Sequence, residues 1–214
     1  MIIKLDNKNF DVIFVHIQKS GGSSIINFFN AGKNHNKIFK DLEILKEENL
    51  KINKFFKFTV IRNPWDRIVS FFHYHKEKLK NKNFPTRTWE YIQNLNFSQF
   101  IRSQQFQSWA KRNNITNYIT LNNIPYIDYY INFDNLQKDF ELVKKITGIN
   151  KNLLHINKSK HEKYEKYYKN KKNKEIISDL FEKEINFFNF KFGSPVKIDH
   201  LNNKKIIYNF LKKQ

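Results

Sequence analysis

The stretch Val12-Ile13-Phe14-Val15-His16-Ile17-Gln18-Lys19-Ser20-Gly21-Gly22-Ser23-Ser24 constrains this chain most. The apolar run over residues 12–17 predicts a buried strand. Two adjacent glycines break it, and Ser23 or Ser24 then stands as the cap of a helix carrying Ile25, Ile26, Phe28 and Phe29. Strand, glycine turn and helix make an anion-binding geometry. Glycines let the backbone come close, N–H groups at the helix start face the anion, and a lysine adds a full charge. The chain has only 5 glycines, so two in one turn is a specific placement. The alternative is an ordinary strand–turn–helix connection. A nucleoside-triphosphatase loop is excluded, because its lysine follows the glycines whereas Lys19 precedes them.

A second apolar run, residues 55–61, follows a segment whose Leu42, Leu45 and Leu50 recur at helical spacing. The helical crossover predicts two parallel strands. The second strand ends at Arg62-Asn63-Pro64-Trp65-Asp66-Arg67. Asn63 is a good N-cap, Pro64 suits the first helical position, and Asp66 suits the helix dipole. Arg62 therefore falls at the carboxyl end of a strand, where open α/β sheets bind ligands. Ser70 interrupts the apolar residues Val69 and Phe71 on the following helix, which a capped structural helix does not require.

These two motifs, in this order, resemble the phosphosulfate loop and the 3′-phosphate-binding segment of the sulfotransferase family. The likeness is to its short carbohydrate-type members, of the heparan sulfate 2-O-sulfotransferase kind. Gln18 stands where those enzymes usually have proline, and Ser20 and Ser23 replace threonines with the hydroxyls kept. The resemblance spans about residues 11–192. It implies a three-layer, P-loop-like α/β domain with a short parallel sheet flanked by helices. It also implies transfer of a sulfuryl group from 3′-phosphoadenosine 5′-phosphosulfate (PAPS) to an acceptor hydroxyl, expected on a glycan. Lys19 and the N–H groups of Ser20, Gly21, Gly22, Ser23 and Ser24 would stabilise charge on the leaving nucleotide. Arg62 and Ser70 would hold its 3′-phosphate. Asn157, Lys158 and Ser159 match a loop that closes over the nucleotide; the alternative there is a lysine-rich solvated segment. Gln104 and Trp109 fall where relatives face the acceptor, though core or surface roles also explain them. No metal is expected, since a sulfuryl group carries less charge than a phosphoryl group.

A base must take the acceptor's proton, and histidine titrates in the useful range. Of the 7 histidines, His35 lies in a polar segment after the first helix, where short sulfotransferases often have one. It is assigned as the base, with a carboxylate from an unplaced loop as the competitor. His16, inside the first strand, reads as a core residue, and His73 and His75 as helix-face residues.

Residues 128–133 predict a third strand, followed by a helix that Gly148 ends. Asp134 takes the place of a family glutamate and reads as a cap. Residues 89–95 and 98–109 read as helical with Ser98 as a cap, and residues 175–188 as a final core-facing helix. Residues 193–214 form a tail that frays or serves interactions.

At 214 residues the expectation is one domain. Cysteine is absent, which excludes disulfides and thiolate metal sites. No signal-peptide core or membrane-length apolar run is present, so a soluble, cytoplasmic protein is expected. The net charge of +19 suits a polyanionic partner such as a nucleotide or acidic glycan, or reflects composition on solvated faces. The alternatives of other classes are a P-loop-type kinase, a basic nucleic-acid-binding protein, and a sulfotransferase fold that binds nucleotide without turnover. No nucleic-acid partner is expected on the favoured reading.

Overall fold

The computed structural model describes residues 1–212 apart from 7, 33, 81–86 and 157–160, and without the side chains of 87 and 88. The chain opens with β1 (Ile2–Ile3) and returns as β2 (Asp11–Val15), which leads into α1 (Gly22–Phe28). α2 (Ile38–Glu47) crosses to β3 (Phe55–Ile61), and α3 (Pro64–Leu79) follows directly. Next come α4 (Phe97–Arg102), α5 (Gln104–Arg112) and α6 (Thr116–Ile119). A hairpin of β4 (Thr120–Leu121) and β5 (Ile124–Pro125) precedes β6 (Tyr129–Asn132). α7 (Leu136–Thr147), α8 (Lys171–Leu180), α9 (Glu182–Phe188) and α10 (Lys204–Leu211) complete the order.

These elements form two compact units. The first comprises Met1–Arg62, Ile115–Asn157 and Val196–Gln214, and the second Asn63–Asn114 and Lys158–Pro195.

The first unit is built on a sheet of order β1-β2-β3-β6. β2, β3 and β6 are parallel, as the crossovers predict, with Val15 opposite Thr59 and Thr59 opposite Tyr130. The short β1 adds antiparallel to β2 and had no counterpart in the sequence reading. All of β3 is buried, which explains its unbroken apolar run at the centre of the sheet. Val12, Phe14, Phe56, Phe58, Val60, Tyr129 and Ile131 alternate onto one face. There Ile25 and Phe28 of α1, Phe140 and Val143 of α7, and Phe210 of α10 cover them. Because the strands are parallel, the loop after β2 and Arg62 after β3 emerge at the same carboxyl edge.

The described residues of the tail from Val196 onward pack onto the sheet. Phe210 stands edge-on to Phe10 and Phe56, with ring centroids 4.8 and 5.5 Å apart. Asn202 Oδ1 accepts from the N–H of Tyr130 at 2.7 Å, and the Asn132 amide donates to the carbonyl of Val196 at 3.0 Å. The tail thus occupies polar groups of β6 that an edge strand would otherwise present.

In the second unit, Asn63 caps α3 by accepting from the N–H of Asp66 at 2.8 Å, as its sequence predicts. Arg67 Nη2 donates to both carboxylate oxygens of Glu184, at 2.7 and 3.0 Å, and both residues are fully buried. Breaking such a pair on one side strands a buried charge, so it fixes α3 against α9. The expected helix over 175–188 is two helices, α8 and α9, which meet at Phe181. The cap of α4 is Asn96 rather than Ser98: Asn96 and Gln99 form a reciprocal capping box.

Candidate active site

The loop between β2 and α1 has a backbone that only a few residue types adopt readily. Lys19 has φ 64° and Gly21 φ 80°. For lysine this left-handed conformation costs about 1–2 kcal/mol, so neighbouring bonds must hold it. Gly21, not Ser23 or Ser24, is the N-cap of α1. The Ser20 N–H donates to the carbonyl of Ile17 at 3.3 Å, and the Ser24 N–H to that of Gly21 at 3.1 Å. Those two donors are used inside the loop. The N–H groups of Gly22 and Ser23, at the first two helical positions, are the ones the helix itself does not use.

Both glycines are required by space as well. A Cβ on Gly22 would lie 2.0 Å from Cδ2 and 2.1 Å from Nε2 of His16, well inside contact distance. A Cβ on Gly21 would meet Leu136 Cδ2 at 2.9 Å and Phe133 at 3.4 Å. The loop is therefore held between the His16 ring and the start of α7.

Arg62 reaches the loop directly. Its Nη1 donates to the Lys19 carbonyl at 2.8 Å, and its guanidinium lies 4.1 Å from the Phe133 ring centroid. Only 6 % of its surface is exposed, so its carbons and ring-stacked plane are packed while one nitrogen fixes the lysine. The role expected of Arg62 was toward phosphate; the bond to the loop is an addition that the sequence did not signal. The planar fork of donors on a guanidinium also suits a phosphate.

Ser20 is 1 % exposed, and its hydroxyl has no hydrogen-bond partner among the described residues. Leaving such a group unmet costs about 1–3 kcal/mol. Ser24 differs: its hydroxyl accepts from the N–H of Ile156 at 3.1 Å, tying α1 to the segment that precedes 157–160.

His35 is exposed and His16 is buried, and the two rings lie 4.1 Å apart between centroids. His35 Nδ1 is 3.3 Å from the carbonyl of His16, and His16 Nδ1 is 3.1 Å from the carbonyl of Asn34. A carbonyl only accepts, so both rings carry their proton on Nδ1 and, when neutral, their lone pair on Nε2. On neutral His35 the nitrogen able to accept a proton is thereby Nε2.

The remaining assigned residues are distributed as follows. Ser70 is buried on α3 in the second unit. Asn157, Lys158 and Ser159 lie outside the described residues. Trp109 packs against Phe71, Trp89 and Phe106 within the second unit's aromatic cluster. His73 is pushed down to about 4, first by burial and then by His161 and Lys76. A base that weak at neutral pH is poorly matched to proton abstraction. His75 donates from Nδ1 to the carbonyl of Phe71 at 2.9 Å, one turn back on its helix. Among the described residues no three His, Asp or Glu side chains cluster as a metal site would need, and no helix is long and apolar enough to cross a membrane.

Compared with known proteins, residues 4–191 match the model of the sulfotransferase family. No curated protein and no solved structure matches the chain.

Proposed function

The chain belongs to the sulfotransferase family and so transfers sulfuryl groups to a hydroxyl-bearing acceptor, and on that premise we propose that its donor is PAPS and its acceptor a glycan. The observation that carries the donor reading is the Ser20 hydroxyl, buried without a partner among the described residues in a loop flanked by the strained Lys19 and by Gly21. Orphaned buried polar groups concentrate where a ligand completes them. The loop offers an anion this hydroxyl, the Lys19 ammonium and the N–H groups of Gly22 and Ser23, which fits a phosphosulfate.

PAPS supplies an activated sulfuryl group whose departure leaves charge on the bridging oxygen of the nucleotide. Lys19 and the loop donors stabilise that charge, and they are preorganised for it by Arg62. The family resemblance supports roles toward the nucleotide for Arg62, Ser70, Asn157, Lys158 and Ser159, with Arg62 and Ser70 directed at its 3′-phosphate. His35 takes the proton of the attacking hydroxyl on Nε2. The net charge of +19 favours an acidic glycan over a neutral one.

Calorimetry with adenosine 3′,5′-bisphosphate tests the donor reading. Wild-type protein binds it, and Ser20→Ala weakens binding by roughly 0.5–1.5 kcal/mol, as for loss of one hydrogen bond. Absence of binding by the wild type rejects PAPS as donor.

A further inference from the structure

The proposed base lies between α1 and α2, where the described residues form no regular element, and its own side chain is exposed. A solvent-exposed imidazole on a loop samples several rotamers and, unconstrained, prefers its proton on Nε2, the nitrogen that must be unprotonated to act. Proton abstraction needs that side chain held in one orientation. His16 makes three contacts to His35 and its neighbour Asn34. The His16 carbonyl accepts from His35 Nδ1 at 3.3 Å. The His16 imidazole donates from Nδ1 to the carbonyl of Asn34, the residue before His35, at 3.1 Å. The two rings lie 4.1 Å apart at an interplanar angle of 36°.

His16 is itself fixed. It is 6 % exposed, it stacks at 5.6 Å on Phe14 of the sheet, and its other edge lies against Gly22, where a Cβ would approach Nε2 to 2.1 Å. One ring therefore touches the rigid sheet, the first residue of α1 and the segment that carries His35. We propose that His16 is the positioning residue of this enzyme. Its imidazole N–H anchors Asn34 and its ring supports His35, and together they keep the His35 proton on Nδ1 and the accepting lone pair on Nε2. The inference rests on the reading of His35 as base and assigns the residue that sets its tautomer and aim.

Two substitutions separate the contacts. His16→Phe keeps the ring and loses the donor to Asn34; His16→Asn keeps a donor at the Nδ1 position and loses the ring. Imidazole nitrogen NMR on ligand-free protein reads the His35 tautomer without any turnover. The expected wild-type state is Nδ1–H. His16→Phe moves His35 largely to Nε2–H, and His16→Asn retains part of the Nδ1–H population. In sulfate transfer from PAPS to a mixed glycan pool, His16→Phe lowers kcat by roughly 10- to 100-fold. Affinity for adenosine 3′,5′-bisphosphate stays within about twofold of wild type, a change far below the tenfold that 1.4 kcal/mol represents. On a His35→Ala background the same substitution has no further effect on kcat.

Failure of the two readings is distinguishable. Wild-type kcat in His35→Ala rejects His35 as base. A large loss in His35→Ala together with an unchanged His35 tautomer and kcat in His16→Phe overturns the positioning role alone. Should His16→Phe not fold, a wild-type His35 protonated on Nε2 overturns it by itself.

Discussion

Arg62 Nη1 donates a 2.8 Å hydrogen bond to the carbonyl of Lys19, 43 residues earlier in the chain. The bond fastens the end of β3 to the one lysine of the loop, and it does so at a residue whose φ of 64° needs support. Arg62 thus serves the loop's shape as well as the 3′-phosphate that it is proposed to hold. Arg62→Ala should erase most of the preference for PAPS over adenosine 5′-phosphosulfate, which lacks the 3′-phosphate. That preference is expected at roughly 1.5–3 kcal/mol, the range for hydrogen bonds to charged groups. Competition binding of the two nucleotides checks it, and equal wild-type affinities would remove Arg62 from the phosphate site.

Lys19→Ala should reduce kcat much more than it weakens adenosine 3′,5′-bisphosphate. The leaving-group charge is greatest in the transition state, so an interaction aimed at it appears in kcat rather than in product affinity. Equal losses in rate and affinity would make Lys19 a uniform binding residue.

Gly22→Ala places a methyl group 2.0–2.1 Å from the His16 ring. The ring cannot give way without leaving Asn34 and His35. Overpacking of this kind costs about 1–3 kcal/mol, or roughly 2–12 °C in Tm for a chain of this size. Gly32→Ala is the control, since among the described residues no atom beyond its chain neighbours lies within 4 Å of its added Cβ. Thermal melts of the two variants read the difference; equal melting temperatures would mean that His16 does not press on the loop.

The glycine pair and the Asn63-Pro64 start were legible because a left-handed backbone and a helix cap each demand particular residue types at one position. The parallel order of β2, β3 and β6 was legible from apolar runs separated by helical crossovers. Other features carried no local signature. The break at Phe181 falls inside an apolar period that continues through it, so one helix was expected where two exist. α10 is held by Phe10, Phe56 and the polar groups of β6, all distant in sequence. His16 read as a core residue, and burial bears that out. Its contacts to Gly22 and His35 arise only when three segments meet. Phe133 beneath Arg62 is likewise a tertiary choice, with no pattern around it to mark it.

His73 contributes to the pH dependence of stability. His73 titrates at about 4 in the folded protein against 6.5 when unperturbed, because burial disfavours its charged form. The unfolded chain therefore binds a proton that the folded one does not between these values, and stability falls as pH drops from 6.5 toward 4. Urea midpoints at pH 7 and pH 4.5 should differ more in wild type than in His73→Phe. An equal difference in both proteins would assign the acid sensitivity to other groups.

The most direct test of the central claim is transfer of labelled sulfate from PAPS into separate glycan, lipid and peptide pools by wild type, Lys19→Ala and His35→Ala. The account predicts label in the glycan pool with wild type, unchanged by a chelator. His35→Ala should reduce it roughly a hundredfold or more, with Lys19→Ala also strongly impaired. No wild-type transfer from PAPS into any pool, or magnesium-dependent transfer of phosphate from a nucleoside triphosphate in its place, would contradict it.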